Sequence, residues 1–273
     1  MFDRNQDRNR RGLLLVCISA LLVFGSYGAF SVKEAVQRNL REASYEEEEK
    51  IRLSSKREEA MGTEVNRIDR AKAAKIFQKN QELLILANKD HEIPKYYQPK
   101  LRNICKGRLQ ASEVLYEDLV RMLAEAGEEG YQFYIASAYR SEDYQQKLID
   151  HDVEKLRKNG MTYEEALGET LRQVMPAGYS EHETGLALDI LVSGNSNLDA
   201  TQEKCPANQW LQKHCMKYGF ILRYPKGKEE ITGIDYEPWH FRYVGVEAAR
   251  YLSEKNLTLE EFWDMIEESD GSF

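Results

Sequence analysis

The chain has 273 residues, of which 31% are charged and 42% hydrophobic, and its formal net charge is −8. This length accommodates one domain of ordinary size together with appended segments. The acidic balance argues against a general nucleic-acid-binding protein, which usually has a basic surface, and the sequence has no glycine-rich phosphate loop of the Walker or Rossmann type. We therefore expect no nucleic-acid partner.

The N-terminus combines a basic segment, 1–12, with an uncharged run, 13–30. The run is near the lower length limit for a helix that crosses a hydrocarbon core of roughly 30 Å. Arginines before such a run favour an N-terminus inside the cell and the remainder outside. We expect residues 13–30 to be a transmembrane anchor in contact with lipid. A cleaved signal peptide is the alternative interpretation.

Residues 31–81 are rich in Glu, Lys, Arg and Ala and contain no proline. This composition predicts a charged helical stalk. A short dimerising coiled coil is the alternative, but apolar heptads are not sustained over three or four repeats.

The folded domain is predicted to occupy residues 82–273. Its apolar pattern and turn residues predict strands at 131–135, 186–192, 220–224 and 241–244, and 83–87 is a further apolar run of strand length. Helices are predicted at 111–126, after Ser141, after the capping box of Thr162 and Glu165, and at 209–218, 246–255 and 258–268. These elements do not alternate as in βαβ units. We therefore expect an α+β domain with a small, mainly antiparallel sheet and flanking helices.

Four cysteines occur, and Cys17 lies in the uncharged run. The three others, Cys105, Cys205 and Cys215, cannot form a closed disulfide framework because their number is odd. A Cys205–Cys215 bridge and buried free thiols both remain open.

Two stretches concentrate residues that bind metals. The stretch YSEHETGLALDI contains His182 and Asp189, and the later stretch YEPWHFRYVG contains Glu237 and His240. Two imidazoles and one carboxylate form a typical set of protein ligands for a catalytic zinc, and the second carboxylate can serve as a base. Asp189 stands within an apolar run, where an ionised carboxylate is costly unless it is paired or binds a metal.

This pairing resembles the zinc D,D-carboxypeptidases of the VanY type, a bacterial family of peptidoglycan peptidases. The family pattern Ser-x-His-x-x-Gly-x-Ala-x-Asp is complete at 180–189, Glu-x-x-His at 237–240, and the upstream Ser-x-Tyr-Arg-Ser block at 137–141. The resemblance covers roughly residues 82–255. Three blocks in the same order make it specific.

The resemblance implies a zinc cleft and a role for each matching side chain. These are the ligands His182, Asp189 and His240, the general base Glu237, the electrophile Arg140, and the substrate-carboxylate candidates Ser137, Ser180 and Gln145. On the residues alone, a structural ion pair is an equally good interpretation of Arg140. Because Glu237 and His240 are three residues apart, a turn or bulge at Pro238 must bring both to the metal.

We therefore expect a zinc D,D-carboxypeptidase that removes the terminal D-Ala from a peptidoglycan stem peptide, anchored in the bacterial membrane with its catalytic domain outside. An L,D-carboxypeptidase or endopeptidase is the alternative within the same class. A non-catalytic wall-binding module is the alternative from another class, and the complete set of ligands and base argues against it.

Overall fold

The computed structural model describes residues 49–57, 62 and 67–270. The chain divides into two units, Met1–Ile68 and Asp69–Phe273. Residues 49–57 of the first unit are helical. The predicted anchor, 13–30, lies outside the described residues. Within the described part of the chain, no helix has the length and apolar character needed to cross a membrane.

The second unit contains short strands interspersed with helices. Its elements are α1 (67–79, which starts just before the unit boundary), β1 (Leu101–Ile104), β2 (Leu109–Ser112), α2 (Tyr116–Glu128), β3 (Phe133–Ser137), α3 (Glu142–Lys158), α4 (Tyr163–Thr170), β4 (Ala187–Val192), α5 (Pro206–His214), β5 (Phe220–Leu222), α6 (Glu229–Thr232), β6 (His240–Tyr243), α7 (Val246–Lys255) and α8 (Leu259–Asp270). This mixture agrees with the predicted α+β class.

Two antiparallel sheets form in this unit. Strands β1 and β2 make a hairpin, and the main sheet has the strand order β3-β4-β6-β5. Every neighbouring pair in the main sheet is antiparallel. The small antiparallel sheet with flanking helices is thus as predicted.

The main sheet separates an apolar core from a polar cleft. Leu188 and Ile190 of the central strand β4 are fully buried in the core formed with α2 and α5. Asp189 lies between them, and alternate side chains of a strand point to opposite faces. Its carboxylate therefore points away from that core. A second core packs α1 against α7 and α8.

The folded unit begins earlier than the predicted start at Glu82. Ala73 and Ile76 of α1 are almost completely buried in the second core. We assigned α1 to the stalk from its composition, because charged residues surround the few apolar residues that this helix buries.

Two predicted elements differ from the structure. Residues 83–87 form turn and irregular backbone, so the predicted strand is wrong. The helix predicted from residue 111 begins at Tyr116, because Ala111 and Ser112 belong to β2 and pair with β1, and Glu113–Leu115 form a 3₁₀ turn. The β1–β2 hairpin was missed because Arg102 and Asn103 interrupt any apolar pattern in β1.

Predicted helix starts agree with the hydrogen bonds observed. The hydroxyl of Ser141 accepts a hydrogen bond from the backbone N–H of Tyr144, and Thr162 forms its capping box with Glu165.

Cys105, Cys205 and Cys215 are free thiols.

Candidate metal and catalytic site

The register of three strands brings distant residues together. Ser137 at the end of β3 lies opposite Asp189 of β4, and Asp189 lies opposite His240 of β6. The pairing shifts by one position between Ile135 and Ser137, and such a bulge re-aims the side chain that follows it. Residues 137, 189 and 240 thus form one row across the sheet.

His182 comes from a 3₁₀ turn, Glu181–Thr184, which is separated from β4 by two residues. Gly185 ends this turn at φ 71°, and a Cβ there would lie 3.0 Å from the backbone nitrogen of Ser112. The conformation and the close approach both explain the glycine. Nδ1 of His182 lies 2.7 Å from the carbonyl oxygen of Ala138. This contact leaves Nε2, 3.3 Å from Oδ2 of Asp189, available to a metal.

His240 and Glu237 are joined by the turn that their spacing required. The His240 N–H faces the Glu237 carbonyl across this turn at 3.4 Å, and both side chains point into the same cleft. Nδ1 of His240 lies 3.4 Å from Oδ1 of Asp189 and 3.5 Å from Oε2 of Glu237.

His182, Asp189 and His240 form a cluster whose ligand atoms lie within 4.8 Å of one another. Each side chain is more than nine-tenths buried. Two imidazole nitrogens and one carboxylate oxygen match the donors of catalytic zinc sites, which leave one position open. The donor set and its spacing therefore fit Zn²⁺.

Burial and neighbouring charges shift the pKa values of these groups when no metal is bound. Burial, with the cation of Arg140, lowers the pKa of His182 to about 4. Burial acts in the same direction on His240, but the carboxylates of Asp189 and Glu181 outweigh it and raise its pKa to about 9. Burial also opposes ionisation of Asp189, yet His182, His240 and Arg140 hold its pKa well below the usual range. A carboxylate beside two imidazoles suits a site built for a cation.

Glu237 differs from Asp189 in its electrostatics. Burial raises the pKa of the Glu237 carboxyl to about 8. A dication bound nearby favours the ionised form. The group can therefore hold or release a proton near neutral pH, as a general base requires.

The cluster lies at the wall of a cavity of about 330 Å³. All eight predicted site residues line this cavity: Ser137, Arg140, Gln145, Ser180, His182, Asp189, Glu237 and His240. Trp239, Tyr224 and Leu148 are among its other walls. The three sequence blocks therefore meet in one site.

Arg140 is held in place by three side chains. Its guanidinium donates to Oγ of Ser137 at 2.9 Å, to Oε1 of Gln145 at 3.3 Å and to Oδ2 of Asp189 at 2.9 Å. The ion pair considered from the sequence is therefore present, and its partner is a member of the metal cluster. The fork geometry suits an arginine that must stay fixed beside reacting groups.

The three substrate-binding candidates differ in what they offer the cavity. Gln145 is fully buried and also donates through Nε2 to the carbonyl oxygen of Met175 at 2.7 Å, so both ends of its amide contact protein. Ser137 accepts from Arg140. Ser180 lines the cavity and is 3% exposed.

The structure adds three charged residues that the sequence analysis did not single out. Glu181, Arg223 and Arg242 are almost completely buried next to the cluster. Arg223 and Arg242 each lie within a predicted strand among apolar and aromatic neighbours. Because a buried arginine requires an acidic partner, this pattern was the available signal for the network.

Comparisons with known proteins agree with this geometry. The family model described as VanY, D-alanyl-D-alanine carboxypeptidase, matches residues 108–246. YodJ of Bacillus subtilis (strain 168) is 30% identical over 274 residues, which cover 93% of this chain and 96% of YodJ.

Two solved structures have similar folds. A mutant of the vancomycin resistance D,D-pentapeptidase VanY, in complex with Zn(II), is 35% identical, with a TM-score of 0.61 over 67% of this chain and 99% of the other. The LD-carboxypeptidase LdcB, solved to explain peptidoglycan recognition, is 33% identical, with a TM-score of 0.58 over 68% of this chain and 88% of the other.

Proposed function

This chain belongs to the VanY family of D-alanyl-D-alanine carboxypeptidases, and we propose that it is a zinc-dependent D,D-carboxypeptidase that removes the terminal D-Ala from peptidoglycan stem peptides. The observation that carries the proposal is the convergence of His182, Asp189 and His240 within 4.8 Å beside Glu237 and Arg140. A wall-binding module would not need this combination of a metal cluster, a base and a partly buried cation.

His182, Asp189 and His240 would hold a Zn²⁺ ion, with Nε2 of His182, a carboxylate oxygen of Asp189 and Nδ1 of His240 as the available ligand atoms. These atoms face one another in the structure. When bound, zinc supplies the Lewis acidity that activates water and polarises a carbonyl. The contact of His182 Nδ1 with Ala138 fixes the ring so that Nε2 faces the metal position.

Glu237 serves as the general base and then as the general acid. It takes a proton from the attacking water and returns it to the leaving amine of D-Ala. Its carboxylate lies 3.5 Å from His240 Nδ1, but the cluster of ligand atoms within 4.8 Å of one another consists of His182, Asp189 and His240. Its buried environment keeps its proton affinity close to that of a base working near neutral pH.

Arg140 stabilises the negative charge that develops on the scissile carbonyl oxygen. Its contacts with Ser137, Gln145 and Asp189 fix the guanidinium before substrate arrives. A preorganised cation loses little by reorganisation during the reaction, so its charge acts mainly on the transition state.

Ser180 and Ser137 bind the terminal carboxylate of the substrate, since their hydroxyls border the cavity beside the cluster. Gln145 acts on the substrate through Arg140, because both ends of its amide already contact the protein.

The scissile bond is tested with purified muramyl pentapeptide and tetrapeptide, incubated with the enzyme and followed by mass spectrometry. Loss of one D-Ala from the pentapeptide is expected. The similarity to LdcB makes the tetrapeptide the necessary comparison. Cleavage of the tetrapeptide alone would show an L,D-carboxypeptidase, and cleavage of neither would contradict the proposal.

Arg140→Ala is expected to lower kcat/KM by about 10²–10³, the typical cost of losing one oxyanion donor, while the protein retains its zinc. Arg140→Lys should recover little, because an ammonium cannot reproduce the fork that contacts Ser137, Gln145 and Asp189. Steady-state kinetics beside metal analysis measures both effects. If Arg140→Ala loses zinc, the arginine acts mainly by supporting Asp189.

We also propose that residues 13–30 anchor the protein in the cell membrane, with the catalytic unit on the outer side. The uncharged run and the arginines before it support this arrangement. The full chain should sediment with membranes and dissolve only in detergent, and a variant lacking residues 1–30 should be soluble. Mature protein whose mass lacks these residues would instead show a cleaved signal.

A further inference from the structure

Glu181 is a buried charged residue next to the cluster to which the mechanism above gives no part. It immediately precedes His182 in the 3₁₀ turn and is 1% exposed. Its Oε1 accepts hydrogen bonds from Nε of Arg223 at 2.7 Å and from Nη1 of Arg242 at 2.6 Å. A carboxylate is costly to bury, and one of its two oxygens is satisfied by these arginines.

The other oxygen faces the back of His240. Oε2 of Glu181 and Nε2 of His240 are both buried without a hydrogen-bond partner among the described residues. They lie 3.5 Å from each other, so a small movement of the imidazole would close a hydrogen bond between them. The opposite ring nitrogen, Nδ1, faces Asp189 and the metal position.

We propose that Glu181 is a positioning residue that accepts the Nε2–H of His240 and so holds Nδ1 unprotonated and directed at the metal. The inference rests on the proposed zinc site. A neutral imidazole has one protonated nitrogen and one free lone pair, and the partner of the first decides which nitrogen binds the metal. Carboxylates behind metal-binding histidines commonly have this function.

Only a carboxylate at residue 181 can accept hydrogen bonds both from the two arginines and from His240. The arginines donate to one oxygen, so the other must also accept if His240 is to donate. In Glu181→Gln, the amide oxygen would stay with the arginines, and the NH₂ group would face Nε2 of His240. Two donors would then oppose each other, which favours the tautomer with the proton on Nδ1 and removes that nitrogen from the metal.

The surrounding contacts hold Glu181 at this point. Arg223 also donates to both oxygens of Glu260 on α8, at 2.9 and 2.6 Å. Arg242 donates through Nη2 to the backbone carbonyls of Leu83 and Ile85 at 2.9 and 2.8 Å. Both arginines are therefore fixed from several directions, and Glu181 has no freedom to turn away from His240.

The test compares zinc affinity of the full chain with that of two matched variants, measured by competition with a chromophoric chelator. Glu181→Gln should weaken zinc binding about 10–100-fold, the typical cost of losing an outer partner of a metal ligand. Glu260→Gln is the control, because it makes the same chemical change in the same arginine network without facing His240. It should keep an affinity close to that of the wild type.

A measurement on the unaltered chain identifies the coordinating nitrogen directly, even if Glu181→Gln fails to fold. In ¹⁵N-histidine-labelled protein loaded with ¹¹³Cd²⁺, coupling should appear at Nδ1 of His240, with a proton on Nε2. Coordination through Nε2 would overturn the inference, as would equal zinc affinities in Glu181→Gln and wild type or equal losses in the two variants. Failure of the wild type to bind either metal would instead overturn the proposed function itself.

Discussion

Purified His240→Ala is expected to contain almost no zinc and to show no measurable D-Ala release. The substitution removes one of three protein ligands, and the remaining imidazole and carboxylate do not complete a catalytic zinc site. The loss of affinity should exceed the roughly 10–100-fold cost of losing an outer partner. Metal analysis after dialysis, together with kcat/KM on a peptide ending in D-Ala-D-Ala, measures both quantities.

His151→Ala is the matched control. His151 is exposed on α3, where its Nδ1 lies 3.1 Å from Oδ1 of Asp152, so its removal tests the general effect of losing an imidazole. This variant should keep both zinc and activity. If His240→Ala retained stoichiometric zinc, the metal would have to bind elsewhere.

Glu237→Ala should separate catalysis from metal binding. We expect kcat/KM to fall by roughly 10²–10⁴, the usual contribution of general acid–base catalysis, while zinc content stays at one per chain. Metal binding should survive because the three ligands His182, Asp189 and His240 remain. Glu237→Gln tests the same step with the side-chain volume preserved.

Glu230→Ala, an exposed position on α6, provides a control for carboxylate loss in the same segment. Zinc loss in Glu237→Ala as complete as in His240→Ala would make Glu237 a ligand. Activity near the wild-type value would remove it from the mechanism altogether.

Local sequence patterns were most informative where chemistry requires a fixed spacing. The blocks around His182 and Glu237 predicted the members of the metal cluster and a turn at Pro238, and the structure places all of them at one cavity. A nearly continuous apolar run likewise predicted β4, and five of the six residues of this strand are buried.

Features that depend on partners distant in the chain were not predictable in this way. The β1–β2 hairpin has few apolar residues, so only the pairing of its backbones reveals it. Helix α1 was assigned to the stalk because its burial depends on α7 and α8, more than 160 residues later. Glu181 was not singled out because its burial depends on Arg223 and Arg242, which follow it by 42 and 61 residues in the chain.

The order of the site residues along the chain also has a consequence for synthesis. His182 and Asp189 are made first, but the cluster lacks its third ligand until β6 is made, and Arg223 lacks one carboxylate until Glu260 follows. Domains generally fold as units. A nascent chain that ends before residue 240 should therefore not retain zinc, and metal loading becomes one of the last events in the maturation of this protein.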